Sequence, residues 1–240
     1  MSAVLDGTGS ASLLDRIDDL ASFNRHVAHD LRGPLGAVAG CARLAEQALE
    51  RGDQALAARL LNALAGRVEE LTQLVVELLA LAEASDAPLA PAPVDLTVIA
   101  QNAIEQVRLA FDVPAEQFRL HALPTVDGVP GLLQQVFVNL LGNAVKFTRH
   151  VPAPLIEVGF AAAGGHRALY VRDNGVGFDD QRAAGLFQPF SRLHGKEYAG
   201  HGIGLSLVKR VVERHGGGVW AAAHPSSPGA TFHFTLAGLA

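Results

Sequence analysis

Asn139, Asn143 and Lys146 stand at i, i+4 and i+7, a spacing that on a helix puts all three on one face. Two carboxamide oxygens there can ligate a hard cation, and an ammonium beside them can pair with a phosphate. Asp173 closes an apolar run and is followed by Gly175 and Gly177, so backbone beside a strand-end carboxylate can approach a planar ligand closely. Gly200, Gly202 and Gly204 precede a helical run, and free N–H groups at a helix start can cradle a polyphosphate. Each stretch alone is weak. Taken in order, NLLGNAVKFT at 139–148, DNGVGF at 173–178 and GHGIGL at 200–205 describe a pocket for a magnesium-bound nucleotide.

Far upstream, His29 is followed directly by Asp30. A neutral imidazole is a nucleophile near neutral pH. The plain alternative is a solvated helix histidine. His26 and His29, at i and i+3, could share a metal, but no third ligand is spaced to close that site. His215 and the three glycines after it mimic an esterase oxyanion loop, yet the chain contains no Gly-x-Ser-x-Gly elbow. His121, His166 and His224 have no ligand spacing.

These residues need elements to hold them. Apolar residues such as Leu13, Ile17, Leu20, Val27, Leu31, Leu35, Val38 and Leu49 predict one long amphipathic helix over 13–49. A polar break at 50–53 carries Gly52, after which Leu56, Leu60, Leu64, Val68, Leu71, Val75, Leu78 and Ala82 resume the pattern. The pair reads as an antiparallel hairpin whose wide apolar stripes call for a second copy, giving a homodimeric four-helix bundle. Pro34 lies inside the first helix, at a cost of about 3 kcal/mol. It reads either as a tolerated kink or as a bend one turn from His29. Three prolines at 88, 91 and 93 mark a linker over 85–93.

Beyond the linker, helices are expected over 95–111, 130–148 and 203–214. Strands are expected over 118–122, 155–161, 168–172, 219–222 and 231–236. This is an α+β arrangement, a two-layer α/β sandwich with helices over one sheet. The expected domains are a flexible leader at 1–12, the hairpin at 13–84, the linker at 85–93 and the layered domain at 94–240.

Composition narrows the classes. Of 240 residues, 49% are hydrophobic and 18% charged, and 19 Lys+Arg against 24 Asp+Glu give a net charge of −5. That balance argues against a nucleic-acid binder. One cysteine, Cys41, excludes an internal disulfide or a cysteine zinc site and suits a reducing, cytoplasmic setting. The opening MSAVLDGTGS lacks the basic and apolar stretches of a secretory signal, and no apolar run reaches the roughly 18 residues of a membrane span.

The three glycine- and asparagine-bearing stretches resemble the N box and the two glycine boxes of the ATP-binding domain of sensor histidine kinases. Between them FQPFSR at 187–192 is similar to that family's F box, and ERHGG at 213–217 and GATF at 229–232 match its closing pattern. FNRHVAHDLRGPL at 23–35 is similar to its H box, with His29 at the phospho-accepting position. The resemblance spans about residues 13 to 240. It implies that ATP phosphorylates His29, aided by Asp30, and that the phosphoryl group passes to an aspartate on a response regulator receiver domain.

It further implies that Asn143 binds Mg²⁺, that Asn139 and Lys146 lie near the phosphates, and that Asp173 accepts from the adenine amino group with Thr231 behind it. Phe147 would border the base, Gly175, Gly177, Gly200, Gly202, Gly204 and Leu205 would line the nucleotide, and 178–202 would form a mobile lid from which Arg192 reaches the γ-phosphate. By the same resemblance the regulator docks near residues 36–60.

One departure is Gly33, where many members of the family carry a polar side chain able to position water, so phosphatase activity is expected to be weak. A hydrolase related to gyrase would place a glutamate where Asn139 stands. A non-catalytic scaffold dimer with a degenerate pocket is the remaining alternative.

Overall fold

The computed structural model describes residues 7–86, 90–163, 165–179, 183, 185–191, 198, 200–223 and 228–239; side chains are described for these apart from 7–24, 26, 28–30, 85, 86 and 166. Two compact units result, Met1–Val76 and Glu77–Ala240. No helix among the described residues is long and apolar enough to cross a membrane.

The first unit is a helical hairpin. Helix α1 runs Gly7–Glu50 and α2 runs Gln54–Asp86. The helix thus enters the segment expected as a leader, because a helix once nucleated gains a hydrogen bond per added residue and needs no apolar periodicity to extend. Gly52, at φ 77°, closes α1 in the left-handed conformation, with its N–H on the Leu49 carbonyl at 2.9 Å. Asp53 then opens α2, accepting from the Leu56 N–H at 2.9 Å. Small residues Ala45, Ala48 and Ala57 are buried within the hairpin. Leu35, Leu44, Leu49, Leu56, Leu61, Val68, Val75 and Val76 stay exposed. Among these, Leu61, Val68 and Val75 recur every seven residues, the spacing of a supercoiled helix seam.

The second unit takes the last turns of α2, since Ala80, Leu81 and Ala84 pack against its core. The break in packing therefore falls ahead of the expected linker at 85–93. The linker itself is shortened at both ends, by α2 reaching Asp86 and by strand β1, Ala92–Asp95. β1 pairs antiparallel with β3, Thr125–Gly128, as a separate two-stranded ribbon. Pro93 is tolerated there because an edge strand can spare one donor. This ribbon went unread in the sequence, since each strand is four residues long and one lies in the proline-rich stretch.

The main sheet has the order β2-β4-β5-β7-β6, from Phe118–Leu120, Ile156–Ala163, His166–Asp173, Ala230–Phe234 and Val219–Ala223. β2 pairs parallel with β4 and all other pairs are antiparallel. Ile156, Val158, Leu169, Val171, Phe232 and Phe234 form the covered face, packed against α3 (Leu96–Phe111), α4 (Pro130–Thr148) and α5 (Gly204–Arg214). Phe137 of α4 meets Phe234 edge-on at 5.6 Å. Each such fully buried large side chain contributes about 1.5–3 kcal/mol.

The opposite face carries Gly159, Tyr170, His233 and Trp220 in one register row. Trp220 lies flat on His233, with rings 5.2 Å apart and 14° from parallel.

Caps fix where the helices begin. Asp95 accepts from the Thr97 N–H at 2.8 Å to start α3. At the start of α4, Pro130 takes the first helical position, and the Val129 N–H donates to Nε2 of His215 at 3.1 Å.

Candidate functional site

Helix α4 presents Asn139, Asn143, Lys146 and Phe147, all half-buried. Asn139 donates from Nδ2 to the Gln135 carbonyl at 2.8 Å, one turn back on its own helix, leaving Oδ1 outward. A Cβ at Gly204 would stand 2.4 Å from that Oδ1, so the head of α5 lies directly against the polar face of α4. The Asn143 amide has no hydrogen-bond partner among the described residues. Lys146 holds Nζ 4.7 Å above the Phe147 ring and 3.2 Å from where a Cβ on Gly200 would be.

Asp173 ends β5 and is 3% exposed. Its Oδ1 accepts from the Gly175 N–H at 2.8 Å. Burial pushes the carboxyl up from 3.8 to about 6, an effect opposed by hydrogen bonds from the backbone of Gly175 and Ala230. The following Asn174 does scaffold work: it accepts from the Leu155 N–H at 2.9 Å and donates to the Ala153 carbonyl at 2.8 Å. Gly175 is buried beside the Phe147 carbonyl, and Gly177 lies against the Gly229 carbonyl.

Ahead of α5, Gly202 has φ 77° and would bring a Cβ to 2.7 Å from the Ser191 carbonyl, so glycine is required on both counts. Its own carbonyl accepts from the Phe190 N–H at 3.0 Å. Gly200, at φ 132°, stands near Lys146, and Leu205 packs at the margin of the core. Phe178 and Phe187 both meet Phe232, at 6.2 and 6.4 Å, which ties two described parts of the expected lid to the sheet.

Thr231 is the exception. The register pairs Asp173 with Ala230 and Arg172 with Thr231. Successive strand residues point to opposite faces, so Thr231 turns away from Asp173 and the methyl of Ala230 stands on the carboxylate's side. The expectation that Thr231 backs Asp173 is corrected accordingly. Arg192 lies outside the described residues, as do the side chains of His29 and Asp30, whose backbone belongs to α1.

Tyr198 escaped the sequence reading, and Gly229 entered it only as part of a closing pattern. Tyr198 is 8% exposed and packs 4.9 Å from the Phe147 ring, a contact between residues 51 positions apart with no local signal. Gly229, at φ 125°, would place a Cβ 2.1 Å from the Asp173 carbonyl, so glycine alone lets β7 begin beside the carboxylate.

Residues 128–238 match the family described as histidine kinase-, DNA gyrase B- and HSP90-like ATPase. Cyanobacterial phytochrome A of Nostoc sp. is 31% identical over 219 residues, which are 91% of this chain and 28% of the phytochrome. A probable sensor histidine kinase, TcrY, of Mycobacterium tuberculosis is 32% identical over 87% of this chain and 44% of the kinase. The solved structure of the mycobacterial sensor histidine kinase MprB is 30% identical, with a TM-score of 0.53 over 60% of this chain and 97% of that one. The chain thus spans less than half the length of these two curated relatives.

Proposed function

Because this chain belongs to the sensor histidine kinases and carries their ATP-binding domain, we propose that it phosphorylates its own His29 from ATP and passes the phosphoryl group to an aspartate of a response regulator. The observation that carries the reading is the close approach of Gly204 to Asn139, where a Cβ added to the glycine would stand 2.4 Å from Oδ1. It gathers a helix start, two carboxamides and the Lys146 ammonium where a polyphosphate needs donors and charge. Asn143, whose amide lacks a protein partner among the described residues, fits a hard-cation ligand. Bound there, Mg²⁺ supplies charge neutralisation at the phosphates.

Lys146 pairs with phosphate, Asp173 accepts from the amino group of the base, and Phe147 with Tyr198 borders the base. To Arg192 we assign charge stabilisation of the γ-phosphate. One ring nitrogen of His29 attacks the terminal phosphorus, the bond to the ADP oxygen breaks, and Asp30 takes the proton from the other nitrogen. Asn139 cannot serve as a base toward water, because a carboxamide does not accept a proton at neutral pH, so hydrolysis is not favoured. We assign the hairpin to homodimerisation and phosphotransfer, with the regulator docking near residues 36–60, in the cytoplasm.

Incubation with γ-labelled ATP tests the reading. Acid-labile label is expected on the wild type and none on His29→Gln; an unlabelled wild type in the presence of Mg-ATP overturns it. Gly33 has no side chain to hold water, so a phosphorylated regulator is expected to keep its label when this protein is added without nucleotide. Rapid release would count against that part.

A further inference from the structure

One contact ties the 200–205 stretch to a residue outside every motif above. Glu77, near the end of α2, brings Oε2 to 3.4 Å from Nδ1 of His201, and each side chain is only 22% exposed. Both belong to the same compact unit. Nδ1 of His201 is buried and makes no hydrogen bond among the described residues, which leaves the Glu77 carboxylate as the acceptor within reach.

A second tie follows along the same helix. Arg214, in the last turn of α5, donates from its guanidinium to the Ala84 carbonyl. Between the two ties Ala80 and Leu81, with Ala84, pack on the core. The tail of α2 is therefore fastened near both ends of α5, at the loop before it and at its last turn.

The loop so fastened is stiff. His201 stands between Gly200 at φ 132° and Gly202 at φ 77°. Phe190, itself at φ 63°, donates to the Gly202 carbonyl at 3.0 Å, and Gly202 leaves no room for a Cβ beside Ser191. A shift of His201 therefore moves Gly200 and Gly204 with it. Those two glycines face Lys146 and Asn139.

We propose that Glu77 is a positioning residue for nucleotide binding: through His201 it sets where residues 200–204 stand against Asn139 and Lys146, and it couples that placement to the end of α2. The proposal rests on the nucleotide reading of the site. It gives a helix end that touches no phosphate a direct hold on the loop that cradles phosphate. Any turn of α2 about its own axis would swing the Glu77 carboxylate and change the loop's affinity.

The test is calorimetric titration of the whole chain with Mg-ADP, with thermal melting of every variant. Glu77→Ala and His201→Ala are each expected to weaken binding about three- to fivefold, as for the loss of one partly buried polar contact. The double variant is expected to be no weaker than the worse single one, because both remove the same contact. Glu77→Gln keeps an acceptor for the imidazole N–H and is expected to recover most of the loss, with all melting temperatures within about 2 °C of wild type. Unchanged affinity in the single variants, or losses that multiply in the double one, overturns the proposal. A loss that tracks melting and is not recovered by Glu77→Gln makes Glu77 merely structural and overturns it as well. A wild type that binds no nucleotide sinks the site reading itself, and that is visible before any variant is made.

Discussion

Asp173 pits folding against binding in a single side chain. At 3% exposure its carboxyl titrates at about 6 instead of 3.8, so between those values the folded chain holds a proton that the unfolded chain has lost. The relative stability is therefore full below pH 3.8 and is lost as pH rises through about 6. Keeping the group ionised at neutral pH costs the fold on the order of 2–3 kcal/mol. Asp173→Asn is expected to raise stability by about that amount at pH 7.5 and by little at pH 4, read by urea denaturation at the two values. The same variant is expected to lose at least about tenfold in Mg-ADP affinity, since the base loses its charged acceptor. Equal stability at pH 7.5 would remove burial as the cause. That Asn139, Asn143 and Lys146 share one helix was legible in the sequence, because their spacing follows the helical period. Thr231 was misread because composition does not reveal strand parity, and one step of register decides which face a residue serves.

Two helices are joined end to end by one ring. His215 is 8% exposed; its Nε2 accepts from the Val129 N–H at 3.1 Å, so Nδ1 carries the proton and donates to the Val211 carbonyl at 2.8 Å. The start of α4, which bears Asn139 and Asn143, is thereby pinned to the end of α5, which begins at Gly204. His215→Ala is expected to cost about 2–3 kcal/mol, from a cavity and a donor left without its partner. The urea midpoint reads this, and a shift under about 0.5 kcal/mol would show that the pin is idle. A histidine dismissed as a catalytic loop thus has structural work that no spacing rule could announce, because its partner is 86 positions away. Long periodic helices were read closely, as with α4, whose Pro130 start and Thr148 end match the expectation. The β1–β3 ribbon was not, since four-residue strands pair through backbone that carries no side-chain signature.

At the scale of the whole chain, the hairpin leaves Leu61, Val68 and Val75 exposed by 50%, 43% and 45%, a seam that a second copy would cover. Leu61→Glu combined with Val68→Glu is expected to convert the dimer proposed here to a monomer by light scattering. Mg-ADP affinity in the second unit is expected to stay within about twofold, because separate sites add. A wild type that is monomeric at micromolar concentration would count against the bundle. In the second unit, the only tryptophan of the chain, Trp220, rests on the imidazole of His233 across the sheet from Asp173. The stacked imidazole fixes the surroundings of the indole, so the protein carries its own optical gauge. Fluorescence is expected to change as denaturant parts the rings. Saturating nucleotide, bound behind the sheet, is expected to leave it unchanged, so folding can be followed without a label while the ligand is varied at will.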